Sequence, residues 1–319
     1  TSDMSNANFM NGQYHFNISP EFSNTITNRG TITASEGGLV AFVAPGVQNT
    51  GIISARLGKV SLAAGNTFTL DLYGDQLVNL GVDSQVMQNV TGFNGKQLTS
   101  LVSNSGNIFA DGGTVAMDVR SAQGLIDGVI NMSGYIQARS IAEKNGSIYF
   151  TGDSNGLVSV SGAIDASGLG TDETGGIVHI LGNRVGLYDN AFIDVSGDAG
   201  GGLVLVGGDY QGLGSIPTAV ENYVGPNVSI FADAVTGGNG GRTIFWADRR
   251  TDFFGTIRSR GGRLFGDGGF AEVSGKEELY FSGSVDTTAA NGKSGTLLLD
   301  PDYITISGGS GTASASAAS

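Results

Sequence analysis

The chain has 319 residues, with 54 glycines, 5 prolines, no cysteine, and 39% hydrophobic against 14% charged residues. A net charge of -13 excludes nucleic acid as the partner, because phosphate binding needs a cationic face. Without cysteine there is no thiol nucleophile, and no apolar run approaches the ~20 residues that a membrane-spanning helix needs. Abundant glycine often accompanies disorder, but here apolar residues interleave with it at regular spacing and predict a continuous core.

The first element is a phrase with asparagine, glycine, isoleucine and alanine at alternate positions. It reads Ile26-Thr27-Asn28-Arg29-Gly30-Thr31-Ile32-Thr33-Ala34 and returns 21 residues later as Val47-Gln48-Asn49-Thr50-Gly51-Ile52-Ile53-Ser54-Ala55. Each copy leads into an alternating segment, Leu39 to Ala44 and then Lys59 to Ala64. A period near 20 residues marks a solenoid, whose rungs cannot bury their apolar faces alone. After Asp83 the period loosens, and Gln85 to Ser105 is predicted to leave the rungs as a longer loop.

The repeat then resumes at a longer period. Ile136 to Ile164 is 28 residues, Ile164 to Ile193 is 29, and Ile257 to Val285 is again 28. Between these phrases, glycine pairs open further strands at Gly175-Gly176, Gly201-Gly202, Gly240-Gly241 and Gly268-Gly269. Two strand phrases and two glycine turns per coil predict an all-β fold, a parallel β-helix. The glycines are expected to supply positive-φ corners. Alternation sends Ile, Val and Leu inward and Thr, Ser, Asp and Arg outward. A propeller or sandwich would instead need hairpin turns every 8–12 residues or so. At ~4.8 Å per rung, roughly twelve rungs give a rod about 60 Å long. Tyr210 to Tyr223, with Pro217, is expected to stand out as a loop.

Residues 5–16, from Ser5-Asn6-Ala7-Asn8 to Tyr14-His15-Phe16, carry a further signature. With Gly51 to Gly65 and Phe68-Thr69-Leu70-Asp71-Leu72, it resembles the secretion domain of the filamentous haemagglutinin family, exoproteins of two-partner secretion. Gly240-Gly241-Arg242-Thr243-Ile244-Phe245-Trp246-Ala247-Asp248 and Gly292 to Pro301 resemble rungs of the same exoproteins. The family's Asn-Pro-Asn-Gly motif is absent, as expected of a fragment starting inside the secretion domain. The division expected is residues 1–83 as the later part of that domain, 84–106 as a loop or excursion, 107–306 as continuing rungs, and 307–319 as a linker or frayed end. The resemblance implies a right-handed β-helix, export through an outer-membrane transporter partner, and a secreted or cell-surface place in a Gram-negative bacterium. It implies adhesion or fibre formation for the class. The lack of cysteine suits a chain that crosses the periplasm unfolded.

Many parallel β-helices cleave polysaccharides, with carboxylates gathered on one outer face. Asp165, Asp194 and Asp286 occupy the same position after the inward residue of their phrases. On adjacent rungs, Asp165 and Asp194 would stand one strand spacing apart, raising at least one pKa. Arg258 and Asp286 share that position in the last repeats and are expected to pair. His15 and His179, on distant rungs, make no zinc site, and His179 is expected to face outward. Gly266-Asp267-Gly268-Gly269 is a single echo of a calcium nonapeptide and is read as a turn. Arg242, Arg249, Arg250, Arg258, Arg260 and Arg263 form the one basic stretch. It is a candidate patch for a host or neighbour-cell glycan or protein, or a set of outward side chains balanced by Asp248, Asp252 and Asp267. No cofactor or metal is implied. The reading is a non-catalytic structural or adhesive protein, with end-to-end self-association at its open rungs. The alternatives are a polysaccharide lyase or hydrolase, and a passive stalk for an active domain elsewhere.

Overall fold

The computed structural model describes residues 3–18, 24–71, 79–142, 144–153 and 156–301. The short final segment 307–319 lies outside them. Every coil contributes three strands, one to each face of a parallel β-helix. Face three is a nine-stranded sheet, from Thr31–Thr33 through Tyr135–Gln137, Ala163–Asp165 and Phe192–Asp194 to Ser284–Asp286. Faces one and two share a 17-stranded sheet because the long strand Arg242–Phe253 serves both. Its first half pairs with Leu203–Val206 on face one, and its second half with Ala219–Val224 on face two. Among the described residues, nine rungs span about 40 Å at one strand spacing each. That is shorter than the twelve rungs expected from length, because three excursions take up chain without adding coils.

The core sits where like stacks on like. Ile32, Ile53, Ile108, Ile136, Ile164, Ile193, Ile230, Ile257 and Val285 stand in register down face three. Ile53, Ile136, Ile164 and Ile193 have no exposed surface. Each such side chain contributes roughly 1.5–3 kcal/mol by leaving water. A parallel ladder puts each residue directly above its counterpart, so one inward isoleucine per coil builds a continuous column.

At the corner between faces two and three the interior turns polar. Asn28 Nδ2 donates to Asn49 Oδ1 at 2.8 Å, and Asn49 Nδ2 to Asn104 Oδ1 at 2.7 Å. Asn104 Nδ2 continues to the Met132 sulfur at 3.6 Å, where the asparagine ladder stops. Asn104-Ser105-Gly106-Asn107-Ile108-Phe109-Ala110 is thus a third copy of the opening phrase, unread in the sequence.

The corner glycines have a different cause from the one expected. Gly30, Gly51, Gly106, Gly134 and Gly162 are not among the positive-φ residues. All but Gly30, on the first coil, are glycine because the coils touch: a Cβ on Gly51, Gly106 or Gly162 would lie 2.1 Å from the carbonyl oxygen of the glycine one coil earlier. A second column repeats this before face one, where Gly176, Gly202, Gly241, Gly269 and Gly295 each abut the preceding coil's glycine carbonyl.

The excursions cover the outside of the rod. Thr67–Asp71 and Asn79–Ser84 form an antiparallel hairpin, joined by His15–Phe16. Phe68 stacks on Phe16, ring centres 4.2 Å apart, and packs over Val43 and Ala63 on the outer side of face one. The stretch expected as one excursion divides. Residues 85–99 leave the ladder but bury Val86, Val90 and Leu98 in the main core. Ser100–Asn104 is itself a rung, paired with Gly46–Asn49 on one side and Gly128–Met132 on the other. The loop before Ala219–Val224 lies flat on face one, where Tyr210 and Ile216 pack on Leu205, Ile244 and Trp246. The expected loop therefore ends earlier than Tyr223, which is back in the ladder.

Candidate functional site

Face three carries one outward column that holds the aspartates. In register it runs Gln137, Asp165, Asp194, Phe231, Arg258, Asp286. The structure places Asp165 and Asp194 on adjacent coils, and Phe231 separates them from Arg258 and Asp286. Asp165 is 8% exposed and saturated. It accepts from Ser167 Oγ at 2.7 Å, Ser167 N at 3.0 Å, Arg139 Nε at 2.7 Å and Tyr135 Oη at 3.1 Å. Burial works to raise its pKa, but these donors together hold it below the ordinary carboxylate value. Burial, then the charge of Asp165, pushes the Tyr135 hydroxyl up to about 12. Asp194 moves the other way. Burial raises it, against the Ser196 N–H at 2.8 Å, and Asp165 and Asp233 add repulsion. Two neighbouring carboxylates with acidities driven apart are what a general acid and base need. Here the ionised member is already committed to four structural donors.

The six arginines do not form one patch. Coiling distributes them over all three faces. Arg242 lies on face one, 5.1 Å from the ring centres of both Tyr210 and Phe270. Arg249 and Arg250 lie on face two. There Arg249 pairs with Glu221, and Arg250 Nε donates to both oxygens of Asp252 at 3.0 Å while its Nη1 reaches Glu278 at 3.3 Å. Arg258, Arg260 and Arg263 remain together at the corner after face three. The expected pair of Arg258 with Asp286 is not made, although the two are register neighbours. Arg258 turns instead to Asp233, with Nε at 3.0 Å, and lies 3.9 Å over the Phe231 ring. Arg260 donates to the same carboxylate from N at 2.8 Å and Nη2 at 2.9 Å.

Asp233, 3% exposed, is the acidic centre that the sequence reading missed. Burial opposes its charge, but the Arg260 and Arg258 donors hold its pKa below the ordinary value. Of the acids expected to balance the arginines, only Asp252 does so. Asp248 accepts from Thr218 Oγ1 and Trp246 Nε1, and Asp267 accepts the Lys293 N–H. The true partners Glu221, Asp233 and Glu278 stand 25 to 28 residues from their arginines, the length of one coil. That spacing is the signal that finds them.

Two concavities flank these columns. A cleft of about 750 Å³ runs over the glycine pairs between Asn145 and Thr296, with Arg242, Asp267 and Lys293 along it. A second, of about 590 Å³, gathers Asp194, Ser196, Phe231, Asp233, Arg258, Arg260 and Arg263, with Leu169, Ala234 and Val235 at its side.

No family model matches the chain, and no curated protein does. Among solved structures, the crystal structure of the HMW1 secretion domain from Haemophilus influenzae superposes with a TM-score of 0.73 at 28% identity. The match covers 94% of this chain and 73% of that one. The chain is similar to a secretion domain.

The two histidines stand apart, one in the antiparallel sheet and one on face one. His15, exposed in the antiparallel sheet, contacts Thr69 Oγ1 through Nδ1 at 3.0 Å. His179 points out from face one, as expected, yet it is half-buried, with Tyr149 edge-on at 5.1 Å. Its Nε2 is buried without a hydrogen bond among the described residues, and burial pushes its pKa down against the opposing charge of Asp209. Among the described residues no three acids or histidines gather as a metal site. The expectation that the sequence holds no Gly-x-Ser-x-Gly pentapeptide is wrong, because Gly152-Asp153-Ser154-Asn155-Gly156 is one. It joins Ser147–Thr151 to Leu157–Val160, strand to strand, whereas a nucleophile elbow joins strand to helix. Ser154 itself lies outside the described residues.

Glu272 is the second buried acid missed by sequence. It faces outward from Phe270–Gly275 yet has no exposed surface, because the loop at Tyr210–Gly212 lies over it. It accepts from the Gln211 N–H at 3.1 Å and from Ser274 Oγ at 3.0 Å. Burial pushes its pKa up to about 7.

Proposed function

We propose that this chain is a secretion-domain part of a two-partner exoprotein of the filamentous haemagglutinin type. It is exported through an outer-membrane transporter of a Gram-negative bacterium, folds outside the cell as a β-helical rod, and acts there as a structural or adhesive element without catalysis. The observation that carries the reading is the likeness to the HMW1 secretion domain, 28% identical over 94% of the chain. The residue resemblance at both ends of the sequence supports it independently.

The fold suits export in an unfolded state. Rungs pair residues 20 to 55 positions apart, so no strand of the rod has its partner until a further coil has emerged. Without cysteine, no disulfide can lock those coils together in the periplasm. The last described strands, Glu278–Phe281, Ser284–Asp286 and Thr296–Leu298, each pair on one side only among the described residues. Such a surface takes either the chain's own next coil or a second copy end to end. The non-catalytic part of the reading rests on Asp165, whose oxygens are engaged by Ser167, Arg139 and Tyr135.

The test is to delete the outer-membrane transporter that the reading requires and follow the chain by immunoblot. The expected result is loss from the medium with retention in the periplasm. Unchanged appearance in the medium overturns the reading. A second reading, cleavage of a polysaccharide, is favoured only by the registered pair Asp165 and Asp194 with their divergent acidities. Glycan turnover that is lost in both Asp165→Asn and Asp194→Asn would establish it in place of the first.

A further inference from the structure

Arg258, Arg260 and Arg263 border one concavity of about 590 Å³ at the corner after face three. Its charged lining is three arginines against Asp194 and Asp233, a balance of +1 (3 - 2) in a chain of net charge -13. Burial also biases Asp194 toward its neutral acid. Asp286, the register neighbour of Arg258 whose charge also acts on Arg260, offsets that surplus, so the cleft meets an anion through directed guanidinium donors rather than through net charge.

The arginines are held before any ligand arrives. Asp233, 3% exposed, receives one edge of each of two guanidinium groups. Arg258 is further fixed 3.9 Å over Phe231. The Nη1 atoms of Arg258 and Arg260 make no hydrogen bond among the described residues, and the Arg263 side chain is exposed. Guanidinium groups with one edge pinned and another edge free are preorganised to accept a planar or tetrahedral anion.

The rest of the lining sets the kind of anion. Leu169 and Val235 are 58% and 48% exposed, with Ala234 beside them, and together they offer an apolar wall beside the arginines. Ser196 and Thr288 add hydroxyls. The volume falls within the ~300–1,000 Å³ of small-molecule sites. A bare inorganic anion leaves the apolar wall uncovered, and a flat protein surface does not enter the concavity. A sugar ring has C–H faces for the wall, hydroxyls for Ser196 and Thr288, and room for an acidic substituent at the arginines.

We infer that the Arg258–Arg260–Arg263 concavity is a binding site for an acidic saccharide, a uronate or a sulfated sugar, of one or two rings. This deepens the adhesive half of the proposed function. It is tested on the purified folded chain, so its failure leaves the export experiment untouched, and the reverse also holds.

The experiment is titration calorimetry at low salt with four probes: a glucuronate-containing disaccharide, a sulfated disaccharide, a neutral disaccharide and sodium sulfate. Saturable binding of at least one acidic disaccharide is expected, ten-fold or more tighter than the neutral one and than sodium sulfate. Arg263→Ser, which removes an exposed side chain, is expected to weaken that binding three- to ten-fold at unchanged melting temperature. Arg260→Leu keeps the Arg258–Asp233 pair and is expected to weaken it further, with circular dichroism confirming the fold. Arg250→Ser, on face two, is expected to leave affinity within two-fold. No saturable binding of either acidic disaccharide, or sodium sulfate binding as tightly as they do, overturns the assignment. So does full affinity in both Arg263→Ser and Arg260→Leu, or an equal loss in Arg250→Ser. The acidic disaccharide that binds identifies carboxylate or sulfate as the anion.

Discussion

Asn49 donates from Nδ2 to the Oδ1 of Asn104 at 2.7 Å, although 55 residues separate them in the chain. This one bond states how the rod is built: the whole excursion between the two is an insertion, and the next coil stacks as though it were absent. Asn49 also accepts from Asn28, so it is the middle of the ladder. Asn49→Ala strands a buried donor on Asn28 and a buried acceptor on Asn104. It should destabilise the fold by about 2–3 kcal/mol. Asn28→Ala, at the ladder's end, should do so by about 1 kcal/mol. Urea denaturation of the two variants checks the order, and equal losses would mean that the ladder is not one connected structure.

The glycine columns make a sharper contrast. A Cβ on Gly106 would lie 2.1 Å from the Gly51 carbonyl oxygen, while one on Gly30 meets only Asn28 Oδ1 at 4.0 Å. Backbone cannot step aside as a side chain can. Gly106→Ala should therefore lose about 3 kcal/mol or more, and Gly30→Ala should stay within about 0.5 kcal/mol of the parent. Both occupy the same place in the repeated phrase, so a purely conformational role for that glycine would give them the same loss.

Asp233 ties Arg258 and Arg260 to face three from beneath. Its pKa is lowered in the folded state, so its contribution is present above the unfolded carboxylate value and is lost as pH falls through the folded one. Asp233→Asn should destabilise the chain by about 2–3 kcal/mol at neutral pH, discounted for the part-exposed guanidinium groups. The gap between parent and variant should be flat above about pH 5 and narrow below about pH 4. Thermal melts across that range measure it.

Glu272 carries the opposite sign. Its folded pKa is raised to about 7, so the folded state holds a proton that the unfolded chain releases. Its favourable contribution is complete below the unfolded glutamate value and falls away as pH rises toward 7. Glu272→Gln keeps an acceptor for the Gln211 N–H and removes the buried charge. It should stabilise the chain by about 1–3 kcal/mol above pH 8 and by little at about pH 4. Melting curves at the two pH values decide, and a gain that is equal at both would remove the buried charge as its cause.

The rod was legible where stacking repeats the same residue at the same place. Ile136, Ile164 and Ile193 recur at coil spacing because parallel strands put each over the last. The third copy of the opening phrase, Asn104 to Ala110, escaped because an inserted hairpin and loop stretch its spacing from 21 to 55 residues. Gly51 reads as a corner residue for the wrong reason, since contact between coils leaves no mark within one coil. Asp233 and Glu272 were invisible for a related cause. Asp233 becomes a centre only when the arginines of the next coil close on it. Glu272 reads as an outward, solvated acid until the Tyr210–Gly212 loop covers it.

The central claim is that coils pair only after the chain has passed the outer membrane, and a disulfide tests it most directly. Ile52 and Asn107 are register neighbours on face three with outward, exposed side chains. Parallel neighbours about 4.8 Å apart lie within disulfide range. Ile52→Cys with Asn107→Cys would close a 55-residue loop in the oxidising periplasm. The measurement is the fraction of this double variant in the medium, with and without a periplasmic thiol oxidant, against the two single variants. Retention of the oxidised double variant, with release restored under reducing conditions, is the expected result. Export of the disulfide-bonded form at the level of the parent chain would contradict it.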